Sequence, residues 1–317
     1  NRDKSIDYLA NRSLNYYDLT KIFNAPYYVI QNWVIRLELQ GYINYQFDGR
    51  SHYEDEIIEY LKNIGVQNIQ TNVKILDKEE ADIYLPDNKL IIEFDGTYWH
   101  SDLFKDKNYH LNKSLLAEKL GYRLIHIYQY EWDDINQQEK IKQLLRIACG
   151  KVNERIYARN CEVKIIKNKE ARLLNDKVHL QNHRNAKVTY GLFYKNELVQ
   201  LMSFSKRKKG LDTDWEIIRG CPGSNNVVIG GVSKLFTHFV KDYNPTSIFS
   251  YCDFNKFNGK SYEELGMKFI GITGPDLTYI IKGKCFKRQY SNYKNIKDKV
   301  DYRIWGAGSK KYLWERN

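Results

Sequence analysis

The sequence predicts a multidomain α/β protein in three parts: a helical, helix-turn-helix-like segment over residues 1–48, an α/β core over 49–150, and an α+β domain over 151–317 that ends in a basic tail. Three observations predict it. The 317 residues suffice for two or three domains with sizeable cores. An acidic hairpin pattern over 79–96 is followed by helix, strand and helix. Beyond Gly150, short apolar strands alternate with three helical stretches, without repeats or a low-complexity linker.

Composition narrows the function classes. No apolar run approaches the ~20 residues of a membrane span, and no signal-peptide pattern is present. The five cysteines are odd in number, scattered and without a CxxC pair, so reduced, mostly buried thiols and a cytoplasmic location are expected. The chain starts at Asn1 without Met, which leaves room for a preceding segment. The net charge is +11, and residues 282–317 carry eleven Lys/Arg against three Asp/Glu. With 26 Tyr and 6 Trp interleaved, this balance points to a polyanion, and double-stranded DNA is the partner expected. A monomer and a homodimer both stand.

Residues 5–46 read as helices. Leu19, Ile22, Val29, Trp33 and Leu37 fall at helical spacing and are expected to be buried, with Pro26 opening the second helix. That helix would turn Tyr28, Gln31 and Asn32 toward DNA, and a plain helical bundle is the competing reading. Ser51-His52-Tyr53-Glu54 has capping-box spacing at the start of a helix to about Ile64. Glu54 shares the face of Ile57, Ile58 and Leu61, so it is the helical carboxylate best placed to meet the hairpin.

The hairpin runs from Glu80 to Leu85, turns at Pro86-Asp87-Asn88 and returns from Lys89 to Gly96. Alternation puts Ile83, Leu85, Leu90, Ile92 and Phe94 at apolar positions, with Asp82, Glu93 and Asp95 at polar ones. An amphipathic hairpin with a solvated acidic face would explain any one carboxylate. Three together, followed by Trp99-His100, predict a hard divalent cation such as Mg²⁺, with Mn²⁺ as a substitute. Tyr109–Leu120 reads as a helix carrying His110 and Lys113 on one side, 123–128 as a strand, and 136–148 as a helix. Strands are then expected at 162–166, 188–194, 197–205, 215–219, 247–253 and 267–272, and helices at 168–178, 232–241 and 262–266. The basic residues Lys206, Arg207, Lys208 and Lys209, with Lys287, Arg288, Lys310 and Lys311 of the tail, are the candidate phosphate contacts.

The strings Glu80-Ala81-Asp82-Ile83-Tyr84, Ile92-Glu93-Phe94-Asp95-Gly96-Thr97-Tyr98-Trp99-His100, His110-Leu111-Asn112-Lys113 and Gly121-Tyr122-Arg123-Leu124-Ile125-His126-Ile127 resemble phage-encoded homing endonucleases of the EDxHD type. These belong to the Vsr-like branch of the PD-(D/E)xK superfamily. The resemblance implies a Vsr-like nuclease core and Mg²⁺-dependent phosphodiester hydrolysis in the cytoplasm of a bacteriophage host. Asp82 would be the principal metal ligand, completed by Glu93 and Asp95, with Glu54 and Glu80 as weaker candidates. His100 would be the general base. The plain superfamily pattern places Lys two residues after Glu93, where this chain has Asp95, so Lys113 is expected to bring the cation, with His110 in reserve. Residues 155–317 resemble the C-terminal region of the same proteins, in an order of strands and helices similar to a GNAT-like acetyltransferase. That resemblance implies a shape used for DNA contact. In place of the Asp that often follows the family's R-I-W stands Gly306. Two further readings stay open: a DNA-binding protein with an inactive core, and an acyltransferase acting through 155–285 from the Gly230-Gly231 helix start.

Overall fold

The computed structural model describes residues 2–9, 16–25, 27–42, 51–77, 79–207, 214–223, 226–282, 284–287 and 299–316. The chain divides into two compact units, 1–56 and 57–317, and no described helix is long and apolar enough to cross a membrane.

The first unit holds α1 (Arg2–Leu9), α2 (Tyr16–Phe23), α3 (Tyr27–Arg36) and the start of α4 (His52–Asn63). Its core is Leu9, Leu19, Ile30, Val34 and Leu39. The expected stripe is corrected: Ile22 and Val29 are exposed, and Trp33 and Leu37 only flank the core. The buried phase of α3 lies one residue later, on Ile30 and Val34, which also are four apart. Asn32 is exposed, while the side chains of Tyr28 and Gln31 lie outside the described residues. Glu54 closes the expected capping box, its Oε1 accepting from Ser51 N (3.0 Å) and Ser51 Oγ (2.8 Å).

The second unit opens with a four-stranded sheet in the order β1 (Gln70–Leu76), β2 (Glu79–Leu85), β3 (Leu90–Asp95), β4 (Arg123–Tyr128). β2 and β3 form the expected hairpin, paired Ile83–Ile92 and Leu85–Leu90. β3 and β4 are parallel, and such a pair needs a crossover. That crossover is α5 (Tyr109–Lys119), which packs Ala117 on Ile91 and Leu124. α6 (Gln129–Trp132) and α7 (Ile135–Ala148) follow, and α7 is tied to α4 where Tyr60 donates to the Lys142 carbonyl at 2.7 Å. All six residues of β3 are buried. The solvated acidic face is thereby replaced, at β3, by a strand covered on both sides.

The rest of the unit contains β5 (Glu154–Tyr157), β6 (Glu162–Ile165), α8 (Asn168–Val178), β7 (Val188–Tyr194), β8 (Glu197–Lys206), β9 (Trp215–Pro222), β10 (Asn226–Ile229), α9 (Gly231–Tyr243), β11 (Ser247–Asp253), α10 (Lys260–Glu263), β12 (Lys268–Ile272), β13 (Leu277–Ile281), β14 (Lys284–Lys287), β15 (Tyr302–Trp305) and β16 (Ser309–Glu315). Seven strands form one mixed sheet, β12-β16-β11-β9-β8-β7-β6. α9 buries Leu235, Phe236 and Phe239 among Phe204, Trp215, Ile248 and Tyr312, with the Phe204 and Phe239 rings stacked at 3.7 Å. α8 packs Ala171 and Val178 with Leu201 and Cys221 in a separate cluster. β5 pairs with β10, and β13 is flanked by β14 and β15. Four of the five cysteines, Cys149, Cys161, Cys221 and Cys252, are buried, and Cys285 is half-buried.

The C-terminal residues are corrected from tail to sheet. β16 lies inside the seven-stranded sheet between β12 and β11, and Tyr312 is fully buried. Lys310 is buried too, its ammonium on Glu118 and the Asn258 carbonyl, and so is not offered to a phosphate. Lys311 is half-buried and Lys206 exposed. Arg207 lies over the Phe249 ring with Glu216 near its Nε. Lys208, Lys209, Arg288 and the side chain of Lys287 are outside the described residues.

Candidate active site

One face of the four-stranded sheet changes character along its strands. On β3, Ile91, Glu93 and Asp95 alternate onto that face, beside Leu124, His126 and Tyr128 of β4, paired in register. α5 runs above them. Ala117 covers the apolar end, Lys113 and Ser114 the Glu93–His126 level, and His110 the Asp95–Tyr128 level. Helical spacing of three to four residues thus matches two-residue steps on the strands. Asp82 of β2, half-buried, enters from the neighbouring strand, its Oδ2 accepting from Phe94 N at 2.8 Å.

Lys113 donates to Glu93 Oε2 at 2.5 Å and to the Glu80 carbonyl at 2.9 Å. Glu80 therefore contributes its backbone, while its carboxylate is exposed. Asp95, 1% exposed, is surrounded by imidazoles: His126 Nδ1 lies 2.8 Å from Oδ2, and His100 Nδ1 and His110 Nε2 lie 2.9 and 3.3 Å from Oδ1. Ser114 Oγ bonds the far nitrogen of His126 at 3.0 Å. The turn carrying His100 is pinned by the His100 N–Gly96 O bond and by Asp102, which accepts from Arg303 N (2.8 Å) and Nη1 (3.1 Å) on β15.

The charges follow from burial and neighbours. Burial, then Asp82, pushes the Glu93 carboxyl well above its usual range, with Lys113 pulling the other way. Burial also raises Asp82, opposed by the Phe94 N–H and Lys113. Lys113 is driven down by burial but raised overall by Glu93. For Asp95, burial acts upward, yet His126, His110 and His100 together outweigh it and hold the carboxyl well below its usual range. Burial lowers His126, against the pull of Asp95.

The structure brings together Asp82, Glu93, Asp95, His100, His110 and Lys113. Glu54 falls in the first unit. Repulsion among the three carboxylates is answered by Lys113 and the imidazoles rather than left wholly to a cation. Two facts still fit a hard ion at Asp82 and Glu93: Glu93 Oε1 is buried without a hydrogen-bond partner, and burial raises the proton affinity of both carboxyls, with Asp82 adding to it at Glu93. Sequence reasoning assigned no role to His126 or Ser114. The signal for His126 was its place between Leu124 and Tyr128 at period two.

Tyr98, Trp99, Leu103 and Phe104 form an exposed apolar cluster next to His100. Trp99 is 65% exposed, and the Tyr98 ring lies 5.1 Å from Trp99 and 5.0 Å from Phe104.

No family model matches this chain, and no curated protein does. Among solved structures it is similar to a Bacillus anthracis str. Ames protein described as a streptothricin acetyltransferase, in complex with acetyl coenzyme A. The identity is 13% over 45% of this chain and 68% of that one, with a TM-score of 0.27. It is also similar to an N-acetyltransferase from Staphylococcus aureus Mu50, at 11% identity over 49% of this chain and 97% of that one, with a TM-score of 0.29. At such scores the likeness carries no argument about activity. The homing, Vsr-like and PD-(D/E)xK labels of the sequence analysis find no support in these comparisons: no family model or curated protein bears them, and the two solved structures are described as acetyltransferases.

Proposed function

We propose that the face bearing Asp82, Glu93, Asp95 and His100 hydrolyses a phosphodiester of double-stranded DNA. The observation that carries this reading is the division of one buried face into two electrostatic halves. Asp82 and Glu93 stand beside an unpartnered carboxylate oxygen and burial pushes both carboxyls upward, while the surrounding imidazoles hold the Asp95 carboxyl well below its usual range. Asp82 and Glu93 would hold Mg²⁺, which supplies charge stabilisation at the phosphoryl oxygens. His100 is the least buried of the three imidazoles, 17% exposed, with Nδ1 backed by Asp95 Oδ1. It takes the proton of the attacking water, as an imidazole can near neutral pH. Lys113 fixes Glu93, and Asp102–Arg303 fixes the His100 turn. The exposed aromatic cluster and the +11 charge suit a substrate with stacked bases and phosphates.

The test is incubation of the full chain with duplex DNA in Mg²⁺ or in EDTA. Mg²⁺-dependent strand cleavage that is lost in Asp82→Asn and reduced at least about 100-fold in His100→Ala is expected. Cleavage insensitive to both substitutions, or none in the wild type, refutes the assignment.

A second reading, acyl transfer by the seven-stranded sheet, is favoured by one feature. The parallel strands β9 and β11 pair only at Trp215–Ile248 and Glu216–Phe249 and part beyond them. α9 crosses between them from Gly230-Gly231, so a helix start lies on the side where carboxyl strand ends receive ligands. Micromolar binding of acetyl coenzyme A, abolished by a bulky substitution at Gly231, would favour it.

A further inference from the structure

We infer that Asp95, His100 and His110 form a binding site for a borderline transition ion, of the Zn²⁺, Co²⁺ or Mn²⁺ class, distinct from the hard-ion position at Asp82 and Glu93. Asp95 Oδ1, His100 Nδ1 and His110 Nε2 make a triangle with edges of 2.9, 3.3 and 3.0 Å. Ligand bonds of about 2.0–2.2 Å meeting at right-angle to tetrahedral geometry give edges of about 2.9–3.5 Å, which these match.

Hydrogen bonding cannot satisfy the same triangle. Each short edge needs one proton between its atoms, and three edges need three. Each ring nitrogen carries at most one in-plane proton and the carboxylate oxygen brings none. One edge is therefore always a contact between like groups. Asp95 Oδ1 accordingly stands without a hydrogen-bond partner, though the residue is 1% exposed. Burying such an atom unpaired costs about 1–3 kcal/mol. A cation at the centre satisfies all three ligand atoms at once.

The surroundings are those of a built site. The second oxygen of Asp95 is fixed by His126, and His126 by Ser114, so the carboxylate is oriented by outer partners. Two nitrogens and one oxygen select against Mg²⁺, which takes oxygen ligands and keeps its waters. This inference rests on the proposed hydrolytic site and adds to it: with a transition ion bound, His100 is a ligand and no longer a free proton acceptor, so Zn²⁺ suppresses Mg²⁺-dependent turnover.

Co²⁺ titration of the full chain, followed by visible absorption, tests it. One equivalent is expected, displaced by Zn²⁺ and not by millimolar Mg²⁺. His100→Ala, which removes a half-buried ligand without opening a core void, weakens Co²⁺ binding at least about tenfold, and Asp82→Asn leaves it intact. Wild-type protein that binds neither Co²⁺ nor Zn²⁺ overturns the inference whatever the variants do, as does wild-type affinity in His100→Ala. Mg²⁺-dependent cleavage without Co²⁺ binding leaves the hydrolytic reading standing alone, and Co²⁺ binding without cleavage leaves only the metal site.

Discussion

Replacing Lys113 by Met isolates the strongest buried interaction on the active face. Lys113 Nζ lies 2.5 Å from Glu93 Oε2, and the two side chains are 6% and 2% exposed. Met keeps the apolar stem and removes the ammonium, so the packing change alone costs below about 1.5 kcal/mol. Losing one partner of a buried pair typically costs about 3–5 kcal/mol, because the other charge stays unpaired. Glu93 escapes part of that cost by taking a proton, and its carboxyl is already pushed upward by burial and Asp82. The sign follows: a group whose folded pKa lies above its unfolded value destabilises the fold as pH rises beyond the unfolded value. The loss is therefore greatest at alkaline pH, about 3 kcal/mol near pH 8, and shrinks toward the packing cost near pH 5. For a unit of this size about 3 kcal/mol is a fall of roughly 6–12 °C in the main calorimetric transition. Adding Glu93→Gln to Lys113→Met restores the wild type to within about 1 kcal/mol, since a neutral pair needs no counter-charge. A loss below about 1 kcal/mol at pH 8, or one that does not change with pH, would refute the buried pair as the organiser of this face.

Three further outcomes are expected. Gly306→Ala lowers the thermal midpoint by about 1–3 kcal/mol equivalent, because a Cβ there would lie 2.4 Å from Asp276 Oδ1 and 2.8 Å from Asn255 Oδ1; an unchanged midpoint would mean that the turn has room. Asp95→Asn flattens the acid limb of the stability curve. The lowered carboxyl contributes stability above the ordinary carboxylate range and loses it as pH falls through its own pKa; an acid limb identical to wild type would contradict the imidazole cage. Mg²⁺ raises the thermal midpoint more at pH 8 than at pH 6 and EDTA reverses it, because the ion competes with protons on Asp82 and Glu93; an equal or larger shift at pH 6 would remove those carboxyls from the ion's ligands.

Much of the fold was legible where one periodicity dominated. The hairpin at β2–β3, the helices α5 and α8 and the strand β11 lie where alternation or helical spacing puts them. β16 was misread because Lys310 and Lys311 mask a strand whose Tyr312 is core. Charge density normally marks a solvated segment, but here Glu118 and the Asn258 carbonyl take up the Lys310 ammonium. β1 and β13 escaped notice for a different reason. Each gains its place only from a partner strand, which local pattern does not reveal. In α3 the buried stripe was set one residue early, since Val29 and Ile30 are equally apolar and only packing selects Ile30.

The active face shows where sequence reading stops. Alternation identified Asp82, Glu93 and Asp95, and it implied a shared cation for all three. The structure gives them different partners because α5 crosses the face at a fixed pitch. Lys113 reaches Glu93 one turn after His110 reaches Asp95. A lysine two residues after Glu93 would stand at Asp95's position, between His126 and His100, and would deprive their Nδ1 atoms of the carboxylate they face. Delivering the ammonium from the helix instead leaves that position to a carboxylate, and only a carboxylate can anchor three imidazoles. The exchange of Lys for Asp at residue 95 and the arrival of Lys113 are thus one arrangement of charge, in which nitrogen ligands come to stand beside oxygen ligands on one face.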